Sequence, residues 1–334
     1  MAAMAAAAAP SPPHSLRIAI VGDVHDDWDL EKDSQALHAL KPDVVLFTGD
    51  FGNENVDLVR EVSKLDLPKA VILGNHDCWQ TVSPFAPYLF DTHEKNGVQE
   101  QLDLLGEAHV GFGRRDFPDL RLSVVGGRPF SMGGNRIHSA YNPFAKLLAP
   151  RYGVHNFRES AERIVANTKE APQTNFLILL AHNGPHGLGS KVENICGRDW
   201  VERGGDHGDP DFEEAIAAVK QEGIRVPLVV FGHMHQTLQC GNPLKRTMLV
   251  VGPDKTIYLN AAVVPRVRGI MDPGLTTLTQ RHFVLVDIHN SEVEGIFEVW
   301  VTVGKEGCEV KQTMMYSRPG TTPVEVTSFQ RSPM

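Results

Sequence analysis

Three short apolar runs, each closed by glycine and a polar residue, recur at a nearly constant step through the first 77 residues. Arg17–Val21 runs into Gly22-Asp23, Val44–Thr48 into Gly49-Asp50, and Ala70–Leu73 into Gly74-Asn75. Asp23 to Asp50 is 27 residues and Asp50 to Asn75 is 25. Between the runs, Leu30–Leu40 and Val56–Leu65 place apolar residues at helical spacing. Such a chain predicts consecutive strand–helix–strand units and a buried, largely parallel sheet. It also sets polar residues at the carboxyl ends of neighbouring strands, the edge where open α/β sheets bind ligands.

The pattern continues. Leu120–Val125, Phe176–Ala181 and Pro227–Phe231 read as buried strands, and Phe157–Lys169 and Phe212–Gln221 as helices. Asp211, with Glu214 three residues on, reads as a capping box. From Met248 to Val303 strands follow one another without helices: Met248–Val251, Thr256–Leu259, Phe283–Ile288 and Phe297–Val303. An α/β domain over 16–305 is therefore expected, more antiparallel in its second half. A disordered extension (1–15) precedes it, and a loosely ordered tail (306–334), rich in Pro, Ser and Thr towards its end, follows.

Composition removes several function classes. Lys plus Arg number 32 against 41 Asp plus Glu, a net charge of −9, which disfavours a nucleic-acid binder. The longest apolar runs fall far short of the ~18 residues of a membrane span. Four cysteines without C-x-x-C spacing (Cys78, Cys196, Cys240, Cys308) fit neither a disulfide framework nor a thiolate zinc site, and suggest a reducing compartment. The alanine-rich start lacks the basic region and strongly apolar core of a secretory signal. An intracellular, cytoplasmic, soluble protein is the expectation, with a plastid-targeting remnant as the alternative. Protein partners are unspecified.

Fifteen histidines are many for 334 residues, and five short elements hold the informative ones. Each follows a strand: Asp23-Val24-His25, Gly49-Asp50, Gly74-Asn75-His76-Asp77, Ala181-His182-Asn183 and Gly232-His233-Met234-His235. Singly, each reads as an ordinary turn. Together they set carboxylates, imidazoles and an amide along one sheet edge, where divalent cations would compensate groups that otherwise repel or stay unsatisfied.

These motifs, in this order, resemble the calcineurin-like metallophosphoesterase superfamily. The resemblance implies a four-layer αββα sandwich with a two-metal site at the strand ends. It implies that Asp23, His25 and His235 hold the first metal, that Asn75, His182 and His233 hold the second, and that Asp50 bridges them. A hydroxide shared by two ions about 3.5–4 Å apart would attack phosphorus in line. Donors without thiolate suit Mn, Fe, Co or Zn. His76 is then not a ligand but faces the substrate as proton donor or charge stabiliser, oriented by an acidic group, here Asp77.

Departures narrow the subclass. Ser/Thr protein phosphatases of this kind carry Asp-Arg-Gly after the second motif and Glu closing the third, whereas here stand Gly49-Asp50-Phe51-Gly52-Asn53 and Asp77. Purple acid phosphatases place a Tyr ligand where this chain has Asn53. The expected activity is hydrolysis of a small phosphomonoester, phosphodiester or pyrophosphate. A nuclease with the same chemistry and a non-catalytic scaffold are the alternatives; the filled ligand set argues against a scaffold. Arg128 and Ser131, in a glycine-rich turn, and Asn260 and Arg266, after a strand, are further candidates for substrate contact. So is Arg198, in a segment (Asn183 to Pro210) too long for an ordinary connection and suited to a lid or specificity element.

Overall fold

A computed structural model describes residues 15–82, 96–135, 144–239, 243–271, 277–305 and 307–319. The expectations for the extension (except Ser15) and for the tail beyond residue 319 lie outside these residues, as does Cys240.

The strand–helix rhythm builds the first sheet. β1 (Ser15–Val21), β2 (Val44–Phe47) and β3 (Lys69–Val71) pair in parallel. The helices Leu30–Leu40 and Val56–Ser63 return the chain between them. Each helix starts where a side chain caps it: Asp29 accepts from the Lys32 N–H, Asn55 from the Leu58 N–H. The second half closes the other side of β1 with β11 (Thr277–His289), β12 (Glu292–Gly304) and β13 (Gly307–Ser317), all antiparallel, while β10 (Val267–Met271) also pairs with β11. The second sheet runs β4 (Arg114–Phe117), β5 (Leu122–Gly126), β6 (Phe176–Leu180), β7 (Leu228–Phe231), β9 (Ile257–Asn260), β8 (Leu249–Val251), with β5, β6, β7 and β9 parallel.

The period-two alternation of the strands explains the layering. Ile18, Ile20, Leu46 and Ile72 share one core with Val124, Ile178, Leu180, Val230 and Leu259, between the two sheets. Their neighbours Ala19, Val45, Phe47, Leu177, Leu179 and Val229 belong to the second core, with Ala36, Leu37, Val59 and Val62 of the first two helices and Ile164 and Ala215 of Phe157–Lys169 and Pro210–Gln221. Strands buried on both faces are why these runs are nearly all apolar. The result is the four-layer αββα sandwich.

Two expectations need correction. The sheet does not stop near residue 305: Gly307–Ser317 pairs with β12 from Gly304↔Gly307 to Gly295↔Ser317. As an edge strand it is largely polar and hid among tail-like residues. Asp211 does not cap a helix. The helix begins at Pro210, with Asp209 at the cap position making no side-chain cap bond; both carboxylates turn inward, as described below. No helix among the described residues is long and apolar enough to cross a membrane.

His282 is buried beside Trp300, and its Nε2 has no hydrogen-bond partner. Burial, reinforced by Arg266 and Arg268, pushes its imidazole down to about 3. Its folded value lies below its unfolded one, so its stabilising contribution is full above about pH 6.5 and is lost as pH falls towards the folded value. At about 1.4 kcal/mol per unit, the loss should reach about 2 kcal/mol by pH 5. Urea unfolding at pH 7 and pH 5 checks this: His282→Phe should flatten the pH dependence by that amount, and an unchanged slope would refute it.

Candidate metal centre

The two sheets share the site. Motifs after β1, β2 and β3 come from the first sheet, and those after β6 and β7 from the second. This corrects the single-edge expectation: the sandwich aligns the carboxyl ends of two parallel sets, and the residues meet across the seam.

Three overlapping groups place their donor atoms within 4.8 Å of one another: Asp23, His25 and His235; His25, Asp50 and His76; Asp50, His182 and His233. The His25 and His235 Nε2 atoms lie 3.1 Å apart. Asp50 stands between the clusters, with Oδ2 3.8 Å from His25 Nε2 and Oδ1 3.3 Å from His182 Nε2. Asn75 Oδ1 lies 3.0 Å from His182 Nε2.

Local backbone chemistry explains the motif spelling. His25, Asp50 and His233 adopt left-handed conformations (φ 44°, 51° and 65°), each a cost of about 1–3 kcal/mol that packing must offset. The motif glycines answer to close approach. A Cβ on Gly74 would stand 2.3 Å from Asp50 Oδ1, and one on Gly232 would stand 2.0 Å from Asp23 Oδ1. Any side chain at either position would occupy the space of these carboxylates.

The electrostatics fit a divalent metal centre. Asp23 and Asp50 are buried, and imidazoles are the cationic groups nearest them. His182 Nδ1 lies 2.7 Å from the Thr48 carbonyl, an acceptor, so it donates there. Its Nε2 then faces two more acceptors, Asn75 Oδ1 and Asp50 Oδ1. A proton or a cation there relieves that conflict. Burial lowers the His182 imidazole, but Asp50 and Asp23 outweigh it and raise it to about 10. Burial, then His182 and His207, holds His233 well below the ordinary range. Asp23 is set by Thr48 Oγ1 and the His233 N–H, at 3.0 and 2.9 Å. Thr48, concealed in an apolar run, was missed in the sequence.

Asp77 does different work from that expected. Asp77 is buried and accepts the N–H groups of Gly74, Asp50 and Phe51 at 2.7, 2.9 and 2.8 Å, tying the second motif to the third. It does not orient the His76 ring. Asn53 does: its Oδ1 lies 2.6 Å from His76 Nδ1, and Trp79 stacks on the ring at 5.0 Å. A polar residue three positions after Asp50 was the available signal for Asn53.

Four of the five suggested substrate contacts are turned away. Arg128, 4% exposed, ion-pairs with Asp209 and Asp211 at 2.8 Å each and lies over the Phe144 and Phe157 rings. Ser131 Oγ donates to Asp209. Asn260 donates to the Met234 carbonyl and accepts from the Ala262 N–H, bracing the last motif. Arg266, 1% exposed, pairs with Asp33 and donates to the Asp27 carbonyl behind the first motif. Arg198 remains, on the segment beside the site. Arg128→Met should therefore leave metal content intact but, by stranding two buried carboxylates, destabilise the fold by about 3–5 kcal/mol. Chemical denaturation would show it; a raised KM at unchanged stability would restore the substrate role.

No curated protein sequence matches the chain. Similar solved structures include a dimetal phosphatase from Danio rerio, 11% identical over 88% of this chain and 98% of that one, with a TM-score of 0.46. PhoD is 9% identical over 91% of this chain and 72% of its own, TM-score 0.45. Vacuolar protein sorting 29 from Cryptosporidium parvum is 13% identical over 91% and 100%, TM-score 0.32. The calcineurin-like phosphoesterase family model matches residues 16–237, from β1 to just past the last motif. The chain belongs to the calcineurin-like phosphoesterase family.

Proposed function

We propose that the protein is a two-metal phosphoesterase hydrolysing a small phosphorylated compound. The observation that carries the reading is His182, buried with acceptors on both ring nitrogens, in a cluster where Asp50 reaches both halves. Asp23, His25 and His235 would hold one ion, Asn75, His182 and His233 the other, and Asp50 both. Nitrogen and oxygen donors without thiolate suit Mn, Fe, Co or Zn. When bound, the ions supply positive charge at the phosphoryl oxygens and an activated water.

The chain's own residues do the rest. The Thr48 carbonyl fixes the His182 tautomer, and Thr48 Oγ1 with the His233 N–H fixes Asp23, the supporting contacts that metal ligands need. Asn53 accepts from His76 Nδ1, so in the imidazolium form Nε2 would hold the proton passed to the departing oxygen. The net charge of −9 argues against a nucleic-acid substrate.

The test pairs metal analysis with hydrolysis. Protein loaded with Mn, Zn, Fe or Mg is offered a generic diester, a generic monoester and a nucleotide panel. Turnover with at least one metal, lost on chelation and restored on reloading, is expected. Protein carrying two ions that hydrolyses none of these would be a scaffold.

A further inference from the structure

Arg246 and Arg198 lie close together but differ sharply. Arg246 is buried and donates to the carbonyls of His235, Asn194 and Gly197 at 2.9, 2.8 and 2.7 Å, and pairs with Asp199 at 3.3 Å. It thereby grips the residues on both sides of Arg198 and ties them to the last motif. Arg198, among the described residues, has no ion pair and no side-chain hydrogen bond, and its Nε is buried. A guanidinium is never discharged, so a partly buried one without a partner is costly unless an anion meets it.

The segment displays Arg198 on a short antiparallel ladder. The His207 N–H donates to the Cys196 carbonyl and the Arg198 N–H to the Gly205 carbonyl, both at 2.8 Å, with Gly197 opposite Asp206. Cys196, Arg198, Gly205 and His207 therefore share one face. Gly205 leaves room for the guanidinium: a Cβ there would stand 2.1 Å from Arg198 Nη2. His207 is seated against Gly133 and Gly134, its ring stacks on His233 at 5.8 Å, and Trp200, 45% exposed, meets it edge-on at 4.8 Å. The face thus runs from the second half of the candidate metal centre to a fixed cation and an open indole.

We infer that Arg198 is a specificity-determining residue that binds the phosphoryl oxygens, and that the substrate is a phosphomonoester carrying an apolar or planar group that lies against Trp200. The inference rests on the phosphoesterase reading above. A guanidinium matches two phosphoryl oxygens at once. A monoester dianion offers three non-esterified oxygens and a diester only two, so a cation beyond the ligand cluster favours the dianion.

Inorganic phosphate is the probe, titrated calorimetrically into metal-loaded protein. Arg198→Gln should weaken phosphate at least tenfold with metal content unchanged, and Arg203→Gln, an exposed cation of the same segment, should match the wild type. In kinetics, Arg198→Gln should lower kcat/KM more for an aryl monoester than for an aryl diester. Trp200→Ala should raise KM for the aryl monoester and leave phosphate affinity alone. Equal phosphate affinity in wild type and Arg198→Gln, or loss of metal in that variant, overturns the assignment and spares the phosphoesterase reading. Equal losses on monoester and diester overturn the monoester claim, and an unchanged KM in Trp200→Ala overturns the apolar subsite. Metal-loaded wild type that neither binds phosphate nor hydrolyses any ester removes both readings.

Discussion

Asp50→Ala should abolish binding of both metals, not one. Its carboxylate lies 3.8 Å from His25 and 3.3 Å from His182, so each half of the cluster has Asp50 as its negative charge or shares it. The shift at His182 makes the same point electrostatically, since Asp50 is the chief group raising that imidazole against burial. Without Asp50, two imidazoles and an amide would face the second ion with no carboxylate among them. Activity should fall by well over the about 10–100-fold that loss of a group behind the ligands costs. Thermal unfolding gives an independent readout: metal should raise the wild-type Tm by mass action and leave that of Asp50→Ala nearly unmoved. Asp23→Ala should lose mainly one equivalent. Two equivalents retained by purified Asp50→Ala would end the bridging assignment.

The fold and the cluster were legible for one reason. Both are written locally, as an apolar run followed at once by its polar residues. The step from Asp23 to Asp50 to Asn75 reflects one strand, one helix and one return, and parallel pairing follows from it. What was illegible depends on contacts made far along the chain. That β6 and β7 sit in a different sheet from β1, β2 and β3 is a fact of pairing, and each run looks the same whichever sheet takes it. Arg128 shows the point most clearly. A glycine-rich turn with arginine after a strand has the appearance of a phosphate loop, yet Asp209 and Asp211, some eighty residues on, absorb its charge. Asp211 looked like helix capping, because nothing near it in sequence shows the cation it faces. Asn260 and Arg266 were misread for that reason too. Arg198 stays a candidate, and its lack of a partner among the described residues is visible only in three dimensions.

His76→Ala should separate metal binding from proton transfer. The ring approaches His25 at 5.0 Å between centroids, yet its Nδ1 is committed to Asn53 and its face to Trp79. Losing it should keep both metals and lower kcat by about 10²–10⁴-fold, the span of a positioned general acid. The loss should depend on the leaving group: small for an ester of an acidic phenol, which departs unprotonated, and large for an alkyl ester. Asn53→Ala should follow the same pattern at reduced amplitude, about 10-fold, because the imidazole stays but is no longer held in one tautomer. That pairing discriminates between roles. If His76 only stabilises charge on the phosphoryl group, both leaving groups suffer equally and Asn53→Ala shows no leaving-group dependence. If His76 is itself a ligand, as its place with His25 and Asp50 within 4.8 Å allows geometrically, metal leaves with activity in His76→Ala. Metal analysis and the two esters together therefore assign one role to this imidazole and exclude the other two.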